Sequence, residues 1–329
     1  NLFALILTPT SDEMSILDLT DNRIKNSIKT GRNPVDLAIS PGKAHILVIN
    51  RLDGTISSFF REDNQKISFI GTVGSGINPS SVIFNNKGTE AYVSYPDSQR
   101  ILVLSILNRA RPVIKDILLL KNPDENTNSA PYKLAISGDD NRLFVVERGN
   151  KNLFTFKKSN ENFTQENISK ISSENEKVSP EDILFRDNKL YISDSTNARI
   201  IVFDPNENKV STSINLSSQD IKSSILPTNM DISVQKKLYV ITQGSSTVAI
   251  IDLVSNKLLK HIFLTTNTVS DSGEPTDISI SSDGNLIYVT NDSGRNLSII
   301  SGKEDKLLRN IGTTPSSGAI PPLSAIKLI

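Results

Sequence analysis

Proline recurs along the chain at intervals of 45 to 52 residues. The recurring positions are Pro34, Pro79, Pro131, Pro180, Pro227 and Pro275, with the pair Pro321-Pro322 near the end. A period of about 40–50 residues is typical of the blades of a propeller. Because this one repeat runs through the whole chain, we predict a single domain over residues 1–329.

Each proline opens a similar unit of short strands. The last unit reads Pro275-Thr-Asp-Ile-Ser-Ile-Ser, then the turn Ser282-Asp-Gly-Asn, then Leu286-Ile-Tyr-Val-Thr-Asn. Alternating apolar residues predict strands, whereas Gly, Asn and Asp favour hairpin turns because they tolerate positive φ. Two further apolar segments complete each unit, and four antiparallel strands per repeat indicate a propeller blade.

The two ends of the chain are predicted to share one blade. Leu2–Leu7 resembles a second strand, whereas Leu323–Ile329 resembles a first strand that has Leu323 in place of proline. Blade 1 is therefore expected to combine residues 1–32 with 322–329, and blades 2 to 7 to begin near the six prolines. The predicted fold is all-β: a seven-bladed β-propeller of four-stranded antiparallel blades. Pairing of the C-terminal strand with the N-terminal strands closes it without a free edge.

Composition narrows the chemistry that the chain can perform. Lys plus Arg and Asp plus Glu both number 36, so no overall field recruits nucleic acid. The absence of cysteine excludes disulfides, thiolate zinc sites and cysteine nucleophiles, and two histidines leave little material for a metal site or a triad. No apolar stretch reaches the length of a transmembrane helix. We expect no cofactor.

Propeller geometry selects one face for binding. The loop into each first strand and the loop after each second strand emerge on the same side, here called the channel-mouth face. Loops on a rigid scaffold usually carry the binding residues. The candidates on this face are Asp36, Arg51, Tyr95, Lys133, Glu147, Arg148, Asp182, Asp194, Asn229, Asp277 and Arg295.

Three of these carboxylates stand at the same repeat position, two residues after the proline. Asp36, Asp182 and Asp277 offer the oxygen ligands that a hard cation prefers. An aspartate just inside a strand also satisfies backbone donors of the preceding turn, and recurrence favours that structural role. We predict the structural role and keep a cation at these three residues as the alternative. Glu147 and Asp194, which end adjacent second strands, are the candidate acid–base pair.

The segment Tyr288-Val289-Thr290-Asn291 is a family signature. Leu238-Tyr-Val-Ile-Thr, Leu190-Tyr-Ile-Ser-Asp and Ala91-Tyr-Val-Ser repeat it in register with the prolines. The chain therefore resembles the YVTN β-propeller repeat family over essentially its whole length. That resemblance implies a secreted, periplasmic or cell-surface prokaryotic protein. Propeller lactonases share the blade count, but their complete set of acidic, histidine and arginine residues does not map onto this sequence.

Because no catalytic motif is found, we expect a non-enzymatic binding or scaffold propeller at the bacterial envelope or outside the cell. Its expected partner is a protein or a cell-surface polymer. One alternative is a metal-assisted hydrolase or lactonase with a cation at the channel mouth. Another is a structural subunit of an envelope or extracellular assembly. The chain begins at Asn1 rather than Met, so we expect a processed or trimmed N-terminus, with a signal peptide or lipid anchor among the explanations.

Overall fold

The computed structural model describes residues 3–63, 66–74, 76–122, 129–264, 273–292, 296–312 and 323–329. Within these ranges 28 strands form seven four-stranded antiparallel sheets, and no α-helix is present. Two short 3-10 turns, Pro96–Ser98 and Gln243–Ser245, follow second strands. The fold is the predicted seven-bladed β-propeller. None of the helical turns in the described ranges is long and apolar enough to span a bilayer.

Strands are numbered in chain order and given blade by blade. Blade 1 contains β28 (Ala325–Leu328), β1 (Phe3–Thr8), β2 (Glu13–Asp18) and β3 (Arg23–Lys29). Blade 2 contains β4 (Pro34–Ile39), β5 (His45–Asn50), β6 (Thr55–Arg61) and β7 (Ile67–Gly74). Blade 3 contains β8 (Ser81–Phe84), β9 (Glu90–Tyr95), β10 (Arg100–Ser105) and β11 (Val113–Leu119).

The remaining blades follow the same order. Blade 4 contains β12 (Pro131–Ile136), β13 (Arg142–Glu147), β14 (Asn152–Ser159) and β15 (Asn162–Lys170). Blade 5 contains β16 (Pro180–Arg186), β17 (Lys189–Asp194), β18 (Arg199–Asp204) and β19 (Lys209–Asn215). Blade 6 contains β20 (Pro227–Ile232), β21 (Lys237–Thr242), β22 (Thr247–Asp252) and β23 (Lys257–Phe263). Blade 7 contains β24 (Pro275–Ile280), β25 (Leu286–Asn291), β26 (Asn296–Ser301) and β27 (Lys306–Gly312).

The recurring prolines mark the start of the first strands. Five first strands begin at their proline, whereas β8 begins at Ser81, two residues after Pro79. Proline is tolerated at the first position of a strand, where its missing N–H removes no ladder hydrogen bond. The pair Pro321-Pro322 lies outside the described residues.

The predicted closure of the propeller is confirmed. The C-terminal strand β28 pairs antiparallel with β1, which places Ala325 opposite Leu7 and Leu328 opposite Ala4. Blade 1 is thus built from both ends of the chain. The edge of β1 is paired in this way, so it does not offer a free template to another chain.

Burial follows strand position within each blade. Second strands are buried almost throughout; Ile46, Leu47 and Val48 of β5 have no solvent exposure. Fourth strands are largely exposed, and β11 displays Val113, Ile117 and Leu119 to solvent. Middle strands are covered on both faces by neighbouring blades, whereas the fourth strand is the edge of its sheet. The most buried part of each blade is therefore its second and third strands.

The chain packs as two compact units. Unit 1 comprises Asn1–Lys29, Ser193–Ile200 and Ser213–Ile329, and unit 2 comprises Thr30–Ile192 and Ile201–Thr212. In unit 2 the first strands β4, β8, β12 and β16 pack in succession, and apolar clusters fill the space between successive blades from 2 to 5. In unit 1 the first strands β20, β24 and β28 pack in succession, with similar clusters between blades 6 and 7 and between blades 7 and 1.

Candidate functional site

Carboxylates of the first strands tie successive blades together. Asp36 Oδ1 accepts a hydrogen bond from the backbone N–H of Leu37 at 2.9 Å, and its Oδ2 accepts one from Val82 of β8 at 3.1 Å. Asp231 repeats the arrangement between blades 6 and 7, with Ile232 and Ile280 as donors at 2.8 and 3.0 Å. The aspartates were expected to accept hydrogen bonds from the backbone of the preceding turn. Instead, their second donor is a backbone N–H of the next blade.

Asp277 makes the corresponding tie to blade 1. Its Oδ2 accepts from the backbone N–H of Ile326 at 3.0 Å and lies 3.6 Å from the ammonium of Lys327. Its Oδ1 accepts from the Asn229 side-chain amide at 2.9 Å. Two residues predicted to face a ligand, Asn229 and Asp277, therefore bind each other. This contact holds the first strands of blades 6 and 7 in register.

The third candidate metal ligand, Asp182, accepts from the backbone N–H of Ile183 at 2.9 Å. Across the described ranges, no group of three or more His, Asp or Glu side chains is arranged to hold a metal. The carboxylates of Asp36 and Asp277 instead accept backbone hydrogen bonds from the following blade.

The last residue of every second strand is polar and buried. The seven residues are Thr8, Asn50, Tyr95, Glu147, Asp194, Thr242 and Asn291. Each contacts the residue five positions later, across the turn to the third strand: Asn50 Nδ2 donates to Thr55 Oγ1 at 3.0 Å, for example. Arg199 Nε donates to Asp194 Oδ2 at 3.0 Å, and the Arg100 guanidinium carbon lies 5.7 Å from the centre of the Tyr95 ring. Tyr95, Glu147 and Asp194 therefore close turns inside the protein instead of facing solvent.

Glu147 is the most unusual member of this set, because it is a carboxylate with 1% exposure. Its Oε1 accepts from the backbone N–H of Ala130 at 2.7 Å, and its Oε2 accepts from Asn152 Nδ2 at 3.1 Å. Lys170 donates to the other end of the Asn152 amide. Burial raises the pKa of Glu147 above its ordinary value, and the hydrogen bonds from Asn152 and Ala130 offset part of that effect.

Four side chains from blades 4 and 5 form a group that we call the cationic cluster: Tyr132, Lys133, Arg148 and Glu181. Arg148 Nε lies 3.2 Å from Glu181 Oε2, and the guanidinium carbon lies 5.2 Å from the centre of the Tyr132 ring. Lys133 Nζ lies 6.0 Å from the same ring centre. The Arg148 side chain is 62% exposed, whereas Glu181 is buried and also accepts from Ser179 Oγ at 3.0 Å. The cluster therefore presents a positioned, accessible cation.

The cluster contains two predicted residues and two that the sequence reasoning missed. Lys133 and Arg148 were predicted, whereas Tyr132 and Glu181 stand one residue after their prolines. The same position holds Val35, Ser80, Thr228 and Thr276 in other blades, so neither tyrosine nor glutamate recurs there to mark it. Arg51 is exposed outside the cluster, with its backbone N–H bound to the Asn33 carbonyl. Arg295 lies outside the described residues.

Comparison with solved structures shows the same fold in bacterial proteins. A Lactobacillus plantarum protein matches with a TM-score of 0.80 at 16% identity, covering 100% of this chain and 99% of that chain. The periplasmic gluconolactonase of Pseudomonas aeruginosa matches at 0.76 and 15% identity, covering 100% and 99%. A putative 6-phosphogluconolactonase from Bacteroides fragilis matches at 0.76 and 15%, covering 100% and 98%. Comparison with curated proteins finds no matching relative.

The model of the family described as "Lactonase, 7-bladed beta-propeller" matches residues 22–326. This match overturns the expectation of a non-enzymatic binding or scaffold propeller, which rested on the missing cysteine, the scarce histidine and the lack of a motif. Catalytic groups contributed by separate strands leave no contiguous motif in a sequence. The chain belongs to the seven-bladed β-propeller lactonase family.

Proposed function

We propose that this protein hydrolyses lactones of sugar acids at the cationic cluster. The observation that carries the proposal is the family match over residues 22–326. The substrate class is supported by structural neighbours described as a gluconolactonase and as putative 6-phosphogluconolactonases. The cluster supports this location for the site, because buried Glu181 and the partly exposed ring of Tyr132 orient an exposed arginine there.

Hydrolysis of a lactone places negative charge on the carbonyl oxygen. Water adds to the carbonyl carbon, the ring C–O bond breaks, and the products are a carboxylate and a hydroxyl group. A preorganised cation aimed at that oxygen stabilises the transition state more than the substrate. Arg148 is assigned this role. Glu181 is a positioning residue, because its Oε2 lies 3.2 Å from Arg148 Nε and orients the guanidinium. The Tyr132 ring supports the guanidinium from one side.

The attacking water also needs a proton acceptor. Asp182 follows Glu181 in β16, and Lys133 occupies the same position after proline in β12. These two strands pack against each other within unit 2. We assign Asp182 as the base that takes the proton from water and Lys133 as a second cation for the oxyanion.

The test is hydrolysis of glucono-1,5-lactone by the purified protein, followed in a pH-stat and corrected for the spontaneous rate. Arg148→Ala is expected to lower kcat about 100-fold, as loss of one oxyanion donor does in other enzymes. Glu181→Gln is expected to lower kcat severalfold with little change in KM. Arg51→Ala is the control, because Arg51 is exposed outside the cluster. Activity that is absent in the native protein, or unchanged in Arg148→Ala, contradicts the proposal.

Chelation distinguishes this metal-free mechanism from one that uses a cation bound at Asp36, Asp182 and Asp277. Because Asp36 and Asp277 already accept backbone hydrogen bonds, EDTA is expected to leave the activity unchanged. A loss of activity that a divalent cation restores would assign activation of the water to the metal instead.

We also propose that the protein works in the bacterial envelope or outside the cell. The proposal is supported by the resemblance of Tyr288-Val289-Thr290-Asn291 to the YVTN repeat and by a structural neighbour described as periplasmic. Fractionation of the native cells, probed with an antibody to the protein, tests this location. Recovery of the protein in the cytosolic fraction would contradict it.

A further inference from the structure

A cavity of about 560 Å³ lies between the turns of blades 4 and 5, within unit 2. One wall is the blade 4 turn between β12 and β13, and the opposite wall includes Asn188 and Asn206 of blade 5. The strand β13 leads from Arg142, which lines the cavity, to Glu147, which precedes Arg148. Six residues of strand span roughly 16 Å. The cavity is therefore at the opposite strand ends from the cationic cluster and has the size of a small-molecule site.

Two aromatic rings form the apolar part of the cavity. Phe144 and Phe185 stack with ring centres 5.8 Å apart and an interplanar angle of 8°. Phe144 is buried, whereas Phe185 is partly exposed. Gly138 keeps the space beside Phe185 open, because a Cβ at this position would lie 3.9 Å from Phe185 Cε1. An exposed ring beside open space suits the C–H face of a sugar.

The polar walls favour an anion. They carry three cations, Arg142, Lys157 and Lys158, and one carboxylate, Asp139. The Asp139 carboxylate accepts hydrogen bonds from residues of its own turn: Ser137 Oγ donates to it at 2.5 Å, and Asn141 donates its backbone N–H.

Two of the cations keep donors for a ligand. Arg142 Nε and Lys157 Nζ lie 3.6 and 3.7 Å from the two oxygens of Glu166, which is beyond good hydrogen-bond distance. One terminal nitrogen of Arg142 also donates to Asn206 Oδ1 at 3.2 Å and to the Pro205 carbonyl at 3.4 Å. Because a guanidinium has five N–H donors and an ammonium has three, both side chains retain donor capacity. Lys158 is bound more closely, at 2.8 Å from Glu90.

We propose that this cavity is a second binding site, which takes a polyhydroxylated anion of monosaccharide size. Arg142 and Lys157 bind the acid group. The side-chain amides of Asn188 and Asn206 bind hydroxyl groups, and the Phe185 ring packs against the carbon skeleton. Since the site shares no residue with the cationic cluster, its occupancy does not depend on lactone hydrolysis.

Isothermal titration of the native protein with three ligands tests the proposal. Gluconate and glucose 6-phosphate are expected to bind with Kd of about 0.1–1 mM, as ligands of this size commonly do. Glucose is the neutral control and is expected to bind at least tenfold more weakly. Comparison of the two anions shows whether the carboxylate or the phosphate is the better acid group. Absence of binding by both anions, or equal binding of glucose, overturns the proposal.

Variants then place the binding in the cavity. Gly138→Leu projects a side chain into it, and Gly138 is outside the left-handed region, so its backbone accepts a side chain. Its matched control is Ser282→Leu, at the same position of the blade 7 turn, where Ser281 and Asp283 repeat the hydrogen bond of Ser137 and Asp139. We expect Gly138→Leu to weaken binding of the anion at least tenfold and Ser282→Leu to leave it unchanged.

Two further variants test whether the anion binds in the cavity or at the cationic cluster. Lys157 is 57% exposed, so Lys157→Gln removes a cation without disturbing the core and is expected to weaken binding severalfold. Arg148→Ala, which alters the cationic cluster, is expected to leave the affinity unchanged. Full binding in both Gly138→Leu and Lys157→Gln, or its loss in Arg148→Ala, places the ligand elsewhere and overturns the proposal, whatever the lactonase assay shows.

Discussion

Blades 2 and 7 close the end of the second strand with a neutral amide, whereas blade 4 uses a carboxylate. Asn50 Nδ2 donates to Thr55 Oγ1 and Ser57 Oγ, and Asn291 Nδ2 donates to the residues five and seven positions later in the same way. Glu147 instead accepts from Asn152 and from the backbone of Ala130. The position thus requires a buried polar group that spans the turn, but not one residue type. The choice decides whether the stability of the blade depends on pH.

Removal of the buried amide in blade 2 is expected to have the largest effect on stability. Asn50→Ala leaves the Gly31 N–H and the hydroxyls of Thr55 and Ser57 without their buried partner. We expect a loss of about 3 kcal/mol in the free energy of unfolding, measured by urea denaturation. Thr55→Val, which removes one of these partners, is the control and is expected to cost less. A loss below about 1 kcal/mol in Asn50→Ala would show that this position does not support the turn.

Introduction of a carboxylate at the end of the second strand of blade 7 gives this position the same chemical group as in blade 4. Asn291→Asp keeps the size of the side chain but places an acid where an amide donates to Asn296 and Ser298. We expect a loss of about 2 kcal/mol at neutral pH that shrinks on acidification, because protonation restores one donor. Unfolding curves at several pH values measure this difference. A loss independent of pH would contradict the electrostatic explanation.

Neutralisation of Glu147 tests the blade 4 arrangement. The raised pKa of Glu147 means that the folded state holds its proton more firmly than the unfolded state. Stability is therefore expected to fall as pH rises from the ordinary glutamate range through the raised pKa, and then to level off. Glu147→Gln removes this contribution, so its stability relative to the native protein rises over the same pH window. Parallel pH profiles of the two proteins would contradict the assignment.

The smallest expected effect belongs to Lys170. Its positive charge lowers the pKa of Glu147, and it donates to the Asn152 amide. Lys170→Met is expected to move the pH window of Glu147 upward and to cost about 0.5 kcal/mol near neutral pH. When Lys170→Met is combined with Glu147→Gln, the pH dependence of stability should not shift relative to Glu147→Gln alone, because the carboxylate of Glu147 is gone. A shift that persists in the double variant would point to another group.

The comparison also shows how far the sequence predicts this protein. The proline period and the alternating apolar residues predicted all seven blades and the shared blade 1, because each repeat buries the same strands in the same way. β8 begins two residues after Pro79, so the proline alone does not locate every strand start.

The candidate site was less predictable. Glu147 and Asp194 were placed on the binding face because they end strands, but the turn behind each one encloses its side chain. Tyr132 and Glu181 were missed because each is marked only by its contact with Arg148, which Tyr132 makes within blade 4 and Glu181 makes from blade 5. Family membership also could not follow from local motifs, because carboxylates and arginines are spread over many loops of any propeller.

The carboxylate ties have a consequence for the synthesis of the chain. Asp36 receives its second donor from Val82, Asp231 from Ile280 and Asp277 from Ile326, so each donor comes about 46 to 49 residues later. A nascent chain emerging N-terminus first must keep each of these aspartates hydrated until the next first strand leaves the ribosome. In blades 2, 6 and 7 this tie therefore forms only after the first strand of the following blade has been synthesised, and a chain truncated before that strand leaves the aspartate without its second amide donor.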